Sequence, residues 1–219
     1  MLRRSVVVLL VALAGLTVGV GAGGWAVVTI DDLPETITAG KATPISFVVR
    51  QHGVAPMPGL RPWLQAVSGS QEVTANAHPA GGAGQYAASL TLPRPADWTV
   101  TIHTSFNQIA LTLLPVTAVA AGTAAAPLSA AERGHRLFLA KGCVTCHQSD
   151  VKSSNPSLNV GPPLVAGKYQ ADFLAKILRD PASVLPGARD VKMPDLGLQA
   201  HEVTALVAFI NAPAVAARR

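Results

Sequence analysis

The sequence predicts a multidomain protein with an N-terminal transmembrane helix, an all-β sandwich and a C-terminal all-α domain. Three observations support this division of the 219 residues. Residues 1–24 contain a long uncharged apolar run. Residues 25–118 alternate apolar and polar side chains with the period of two typical of β-strands, whereas residues 129–219 show helix caps and the helical period. Residues 119–128, which are small or apolar and uncharged, predict a linker between them.

The N-terminal apolar run follows Arg3 and Arg4 and extends from Ser5 to Gly24. A 20-residue helix is about 30 Å long, which is enough to cross a bilayer. This length favours an uncleaved anchor over a signal peptide, whose apolar part has roughly 7–15 residues, although the small residues 21–23 leave cleavage open. In both cases the arginines stay in the cytoplasm and the later domains are exported. With the favoured anchor, we expect a single-pass protein of the cytoplasmic membrane with its later domains on the periplasmic face.

Charge is low and uneven along the chain. Only 13% of the residues are charged and the net charge is +5, a composition that does not indicate a nucleic-acid-binding protein. Most of the excess lies after residue 128, where eleven basic and seven acidic residues give +4. A basic face suits an acidic protein partner or an anionic membrane, and a solvated surface without a role is an equal alternative. The candidate docking lysines are Lys141, Lys168, Lys176 and Lys192.

Strand-like alternation is clear in three stretches of residues 25–118, and turns rich in Pro and Gly separate them. Roughly seven short strands within this length predict an immunoglobulin-like sandwich. The residues expected to face its core are Ile45, Phe47, Val49, Tyr86, Ala88, Leu90, Leu92, Trp98, Val100 and Ile102. The stretches from Leu33 to Lys41, from Phe47 to Gly53 and from Gly84 to Trp98 resemble the YtkA-like periplasmic domains.

The β-region also contains side chains of the types that bind copper, namely His52, Met57, His78 and His103. No pair of them has a local ligand spacing, so surface histidines are the favoured interpretation. We therefore expect this region to be a docking or spacing module.

The segment Cys143-Val144-Thr145-Cys146-His147 predicts covalent attachment of haem c. Each thiol can add to one vinyl group of the porphyrin, and the adjacent imidazole can then bind the iron. The chain has only these two cysteines. A thioredoxin-like pair would need a βαβ context and a zinc site would need two more ligands nearby, and neither is present.

The candidate for the second iron ligand is Met193, because Met1 and Met57 precede the haem motif. A thioether ligand favours Fe(II) and raises the reduction potential. A lone methionine can instead fill a gap in a core, but the surrounding Pro, Gly and charged residues indicate a loop. The rivals His135 and His201 fall on predicted helices.

Three helices are predicted after residue 128. The first starts at Ser129, which forms a capping box with Glu132, and ends before Gly142. The second spans 169–180, with Phe173, Leu174, Ile177 and Leu178 facing inward, and the third spans 199–211, with Val203, Leu206, Val207 and Ile210 facing inward.

Residues 128–213 resemble a class I cytochrome c, with the motifs in the order of that family. Gly161-Pro162-Pro163-Leu164 is similar to its proximal loop and Lys192-Met193-Pro194 to its methionine loop. The resemblance implies that the Pro162 carbonyl accepts a hydrogen bond from His147. It also implies that the first and last helices cross, and Gly134 would permit their close approach.

The resemblance implies a carrier of single electrons rather than an enzyme. Its partners would be redox proteins, such as a quinol-oxidising complex, a terminal oxidase or a photosynthetic complex. A permanent haem-bearing subunit of a larger oxidoreductase or oxidase complex and a copper-handling protein are alternatives. A haem enzyme or gas sensor needs an open iron position, and Met193 counts against it.

Overall fold

The computed structural model describes residues 24–149, 153–184 and 193–213, in which the strands precede the helices. The prediction of a β-sheet region followed by a helical domain is confirmed. The strands are Ala26–Ile30 (β1), Thr36–Thr38 (β2), Thr43–Gln51 (β3), Ala55–Pro56 (β4), Trp63–Ser68 (β5), Gln71–Asn76 (β6), His78–Pro79 (β7), Gln85–Leu90 (β8), Ala96–His103 (β9), Ala110–Thr112 (β10) and Val116–Val119 (β11). The helices are Ala130–Ala140 (α1), Cys143–Cys146 (α2), Ala171–Arg179 (α3), Pro181–Val184 (α4) and Ala200–Asn211 (α5).

The expected membrane anchor covers residues 1–24, of which residues 1–23 lie outside the described residues. Within the described ranges, no helix combines the length and apolar character that crossing a bilayer requires. The anchor therefore stays a prediction.

The strands form two sheets that share a core. One has the order β1-β3-β8-β7 with β4 beside β3, and the other has the order β2-β11-β9-β5-β6 with β10 beside β9. The pairs are antiparallel except β2 with β11, which are parallel. The predicted inward alternation is confirmed, because all ten of the residues named above as core-facing are buried. Each large apolar side chain that is removed from water in this way contributes about 1.5–3 kcal/mol.

The helical domain is built on the crossing of α1 and α5. The predicted capping box is confirmed: Ser129 Oγ accepts a hydrogen bond from the Glu132 amide, and the Glu132 carboxylate accepts one from the Ser129 amide. At Gly134 a Cβ atom would lie 2.0 Å from the Ala205 carbonyl oxygen, so only glycine permits this approach. The rings of Phe138 and Phe209 pack beside it with centroids 5.3 Å apart.

Helix α3 packs on α5 through a narrow stripe. Leu174 and Leu178 are buried as predicted, but the prediction that Phe173 faces inward is wrong, since its side chain is 46% exposed. Successive helical residues differ by about 100°, so a stripe centred on Leu174 and Leu178 leaves Phe173 to one side.

Candidate haem site

Helix α1 leads directly into the two cysteines. It ends at Ala140, and Gly142 adopts a left-handed conformation (φ +75°) that turns the chain into the short helix α2. Cys143 and Cys146 lie three residues apart on α2, which places both thiols on the same side of one helical turn. Both are free thiols. Two adjacent thiols on one rigid turn suit attachment to two vinyl groups of one porphyrin.

The buried environment of these two thiols favours the neutral thiol over the thiolate. Burial raises the pKa of Cys143 to about 12, with the neighbouring Cys146 adding to the effect, and burial also raises the pKa of Cys146. Redox-active cysteines act as thiolates and have a lowered pKa, whereas the pKa of these two thiols is raised. In the described ranges, no group of three or more His, Cys, Asp or Glu residues could hold a metal ion. The thiols therefore fit thioether formation better than a redox pair or a zinc site.

His147 follows α2 and is oriented by the next loop. Its Nδ1 lies 2.9 Å from the Pro162 carbonyl oxygen, which can only accept, so Nδ1 carries the proton and donates it. Nε2 is then the nitrogen available to an iron ion. A Cβ atom on Gly161 would lie 2.4 Å from His147 Cε1, so glycine is needed beside the ring.

Backbone hydrogen bonds hold this loop against the motif. The amides of Leu158, Gly161 and Leu164 donate to the carbonyl oxygens of Thr145, Cys146 and Gln148, with distances of 2.9, 2.9 and 2.8 Å. The orientation of His147 is therefore fixed by main-chain contacts on both sides of the loop.

Exposed apolar side chains concentrate after the motif. Leu158, Val160, Val165 and Phe173 are each at least 40% exposed. A porphyrin has two apolar faces, and side chains of this type are suited to pack against them. Together with the paired thiols and the oriented imidazole, these residues fit a covalently bound haem.

Met193 is half-buried and packs against the cluster of buried apolar residues. This placement is compatible with both interpretations of the residue, so its role as iron ligand stays a prediction. Of the rivals, His135 is buried and stacks on Phe209 with ring centroids 4.8 Å apart, whereas His201 is exposed on α5.

The prediction that Lys141 is a docking lysine is wrong. The residue is 5% exposed and its ammonium group lies 2.9 Å from the Glu202 carboxylate. Lys168 and Lys176 are exposed, as docking requires, and Lys192 lies outside the described residues. Sequence alone gives a charge and not its burial, which the packing of α1 on α5 decides here.

The candidate copper-binding histidines have different surroundings. The His52 ring contacts Trp25 with centroids 5.3 Å apart, whereas the His103 ring stacks on Trp63 at 4.0 Å. Burial lowers the pKa of His103. His78 lies exposed on the short strand β7. These positions give no support to a copper site.

One residue that the sequence interpretation missed is Asn155, in the loop between His147 and Pro162. Its side chain makes two hydrogen bonds to Thr112 of the β-region. No local pattern identifies such a contact, because the two residues are 43 positions apart in the sequence.

The comparisons with known proteins agree with this geometry. Residues 131–212, somewhat more than a third of the chain, match the family model described as cytochrome c, a family that implies covalently bound haem c. No curated protein matches the chain. Among solved structures, the CARDB domain of the PF1109 protein from Pyrococcus furiosus, crystallised in complex with di-metal ions, aligns with 44% of this chain and 89% of its own length. The identity is 11% and the TM-score 0.27, which carries no argument about the β-region. The resemblance of that region to YtkA-like domains stays a prediction.

Proposed function

We propose that this cytochrome c domain, with its covalently bound haem c, makes the chain a carrier that passes single electrons between redox proteins. The observation that carries the proposal is the placement of His147, whose Nδ1–H is held by the Pro162 carbonyl directly after two paired thiols. Bound haem c supplies an iron that cycles between Fe(II) and Fe(III). The chain contributes two attachment points, Cys143 and Cys146, and an imidazole of fixed tautomer.

We infer that Met193 would supply the second protein ligand of the haem iron. It is the methionine that follows the motif in sequence, and Pro194 after it restricts its loop. A His and Met pair raises the reduction potential, and two protein ligands leave no position at which a substrate can bind. This closed coordination supports electron transfer rather than catalysis.

Met193→Ala is expected to open the sixth iron position. The reduced variant should bind carbon monoxide, and its reduction potential should fall by a sizeable part of the ~0.8 V range that axial ligands span. A visible and near-infrared spectrum with a redox titration measures both effects. Met57→Ala, a change to a half-buried methionine of the β-region, is the matched control and should leave spectrum and potential unchanged. A Met193→Ala variant that keeps the parent spectrum and excludes carbon monoxide would show that Met193 is not the ligand.

The proposed location is the periplasmic face of the cytoplasmic membrane, with residues 1–24 as the anchor. The support is the 20-residue uncharged run preceded by two arginines. The proposed partners are a quinol-oxidising complex as donor and a terminal oxidase or photosynthetic complex as acceptor. Docking of redox proteins is usually weak and small in area, which suits a carrier that exchanges partners.

Lys168 and Lys176 are expected to make the surface of the haem domain attractive to anions. Oxidation of the reduced protein by ferricyanide, a small anionic oxidant, should slow as salt is added, because charges are screened beyond about 8–10 Å near physiological ionic strength. The double variant Lys168→Glu/Lys176→Glu should react more slowly at low salt, by several-fold, and lose most of the salt dependence. Lys41→Glu, at an exposed position of the β-region, is the charge-matched control.

A flat salt profile in the parent protein would contradict a docking role for these lysines. Combined with copurification of the native protein in a stoichiometric complex, it would favour the alternative of a permanent subunit, which holds its partner through buried surface.

A further inference from the structure

The β-region contacts the haem domain at the residues that immediately precede Cys143. A Cβ atom on Gly142 would lie 2.5 Å from both Val27 Cγ1 and the Val28 carbonyl oxygen, so β1 passes directly against this turn. The Thr29 hydroxyl donates to the Lys141 carbonyl oxygen at 3.4 Å, and Lys141 Nζ donates to the Asp31 carbonyl oxygen at 2.8 Å. The strand β1 is therefore bonded to the segment from which the haem motif begins.

A second contact lies beyond the motif. Asn155 Oδ1 accepts a hydrogen bond from the Thr112 amide and Asn155 Nδ2 donates to the Thr112 carbonyl oxygen, both at 2.7 Å. One side-chain amide thus satisfies both main-chain groups of a residue in β10, as a neighbouring strand would. The Ser153 hydroxyl, 3.1 Å from Asn155 Nδ2, supports the side chain. The two contacts flank the haem-attachment residues on either side in the sequence.

The burial of β1 shows that the contact with the haem domain shields the outer face of this strand from water. Ala26, Val28 and Ile30 belong to the core between the sheets. Val27 and Thr29 alternate with them and point to the opposite face, yet each is only 5% exposed. A strand that is buried on both faces needs a second layer. The haem domain supplies it through Lys141 and Gly142.

Further contacts extend the interface away from β1. Trp25 and Leu111 of the β-region line a shared apolar cleft with Thr145 and Leu158 of the haem domain. At the start of α1, the Arg133 guanidinium forms an ion pair with Glu35. The contact therefore runs from the first turn of α1 past the haem motif to the following loop.

We propose that the β-sandwich is permanently docked on the haem domain. It stays docked in both oxidation states of the iron and holds the haem-attachment segment from outside. This assigns the sandwich a role that needs no metal or separate partner, and it goes beyond electron carriage itself. It also means that an external redox partner must approach the haem domain from a face that β1 and β10 do not cover.

Cutting the connection between the two parts tests the proposal. Residues 121–127 are exposed, so a specific protease site can be inserted there without disturbing either part. After cleavage of the folded, haem-loaded protein, the two fragments should elute together in size-exclusion chromatography at low micromolar concentration, whether the iron is oxidised or reduced. Fragments that separate in either oxidation state would overturn the proposal.

Asn155→Ala tests whether the hydrogen bonds between Asn155 and Thr112 help to hold this interface together. Loss of two part-buried hydrogen bonds should weaken the association of the cut fragments by about tenfold or more. Ser154→Ala, at an exposed position of the same loop, is the control and should leave the association unchanged. In the uncut protein, Asn155→Ala should also lower the reduction potential, because water that reaches the attachment side of the haem favours the more highly charged Fe(III) state. If Asn155→Ala and Ser154→Ala show the same fragment association and the same reduction potential, Asn155 does not stabilise the interface. That result would overturn the proposal that the β-sandwich holds the haem-attachment segment.

Discussion

Gly134→Ala is expected to destabilise the haem domain by about 3 kcal/mol, although the same change in an open helix is stabilising. An alanine at an unconstrained helical position gains roughly 0.5–1 kcal/mol over glycine. Here the added Cβ would lie 2.0 Å from the Ala205 carbonyl oxygen and 2.6 Å from Phe209 Cβ, so α1 and α5 must move apart. Overpacking of this kind costs typically 1–3 kcal/mol and occasionally more, and contact with main-chain atoms places the site at the upper end. Urea unfolding followed by haem absorbance and circular dichroism measures the change.

Two further variants test the cause of this effect. Adding Ala205→Gly to Gly134→Ala should not restore stability, because the nearest atoms belong to the main chain of Ala205 and not to its side chain. Ala130→Gly, at the exposed first residue of α1, is a control for exchanging glycine and alanine in this helix away from α5 and should change stability only slightly. A Gly134→Ala protein more stable than the parent would mean that α1 and α5 do not approach this closely.

Lys141→Met is expected to cost about 3–5 kcal/mol, because it leaves the Glu202 carboxylate buried without its cation. The two side chains are 6% and 10% exposed and 2.9 Å apart. For a chain of this size the loss corresponds to a fall in Tm of about 6–20 °C. Lys176→Met, which removes an exposed lysine from α3, is the matched control and should change stability by no more than about 0.5 kcal/mol.

The double variant Lys141→Met/Glu202→Leu separates the ion pair of Lys141 with Glu202 from its hydrogen bond to the Asp31 carbonyl oxygen. Replacing both charges by apolar groups should recover most of the stability, since a buried ion pair often contributes little over an apolar pair. The part not recovered, about 1–3 kcal/mol, measures two lost hydrogen bonds, the one that the Asp31 carbonyl oxygen accepts from Lys141 and the one that the Glu202 carboxylate accepts from the Gln199 amide. A Lys141→Met variant as stable as Lys176→Met would contradict the burial of this ion pair.

Much of the fold follows from rules that act over a few residues. The capping box at Ser129, the end of α1 before Gly142 and the inward alternation of β3 and β9 were all predictable, because capping, helix termination and the two faces of a strand depend on neighbouring positions. The prediction for Phe173 failed because helical spacing shows only which side of α3 is apolar. The position of α5 decides how much of that side is buried.

For the candidate site, the sequence by itself determined the chemistry: two thiols and an imidazole in a fixed spacing, followed by the Gly161-Pro162 loop. Tertiary structure decided what surrounds that chemistry. The Thr29, Asp31 and Thr112 contacts to the haem domain join residues 112, 110 and 43 positions apart, so no local pattern encodes them. Only the run Ala26-Val27-Val28-Thr29-Ile30, mainly apolar on both faces of one strand, hinted that a second layer covers the sandwich. Burial is a property of both surfaces in contact, which is why Lys141 counted as a free charge in the sequence and is a buried, paired one in the fold.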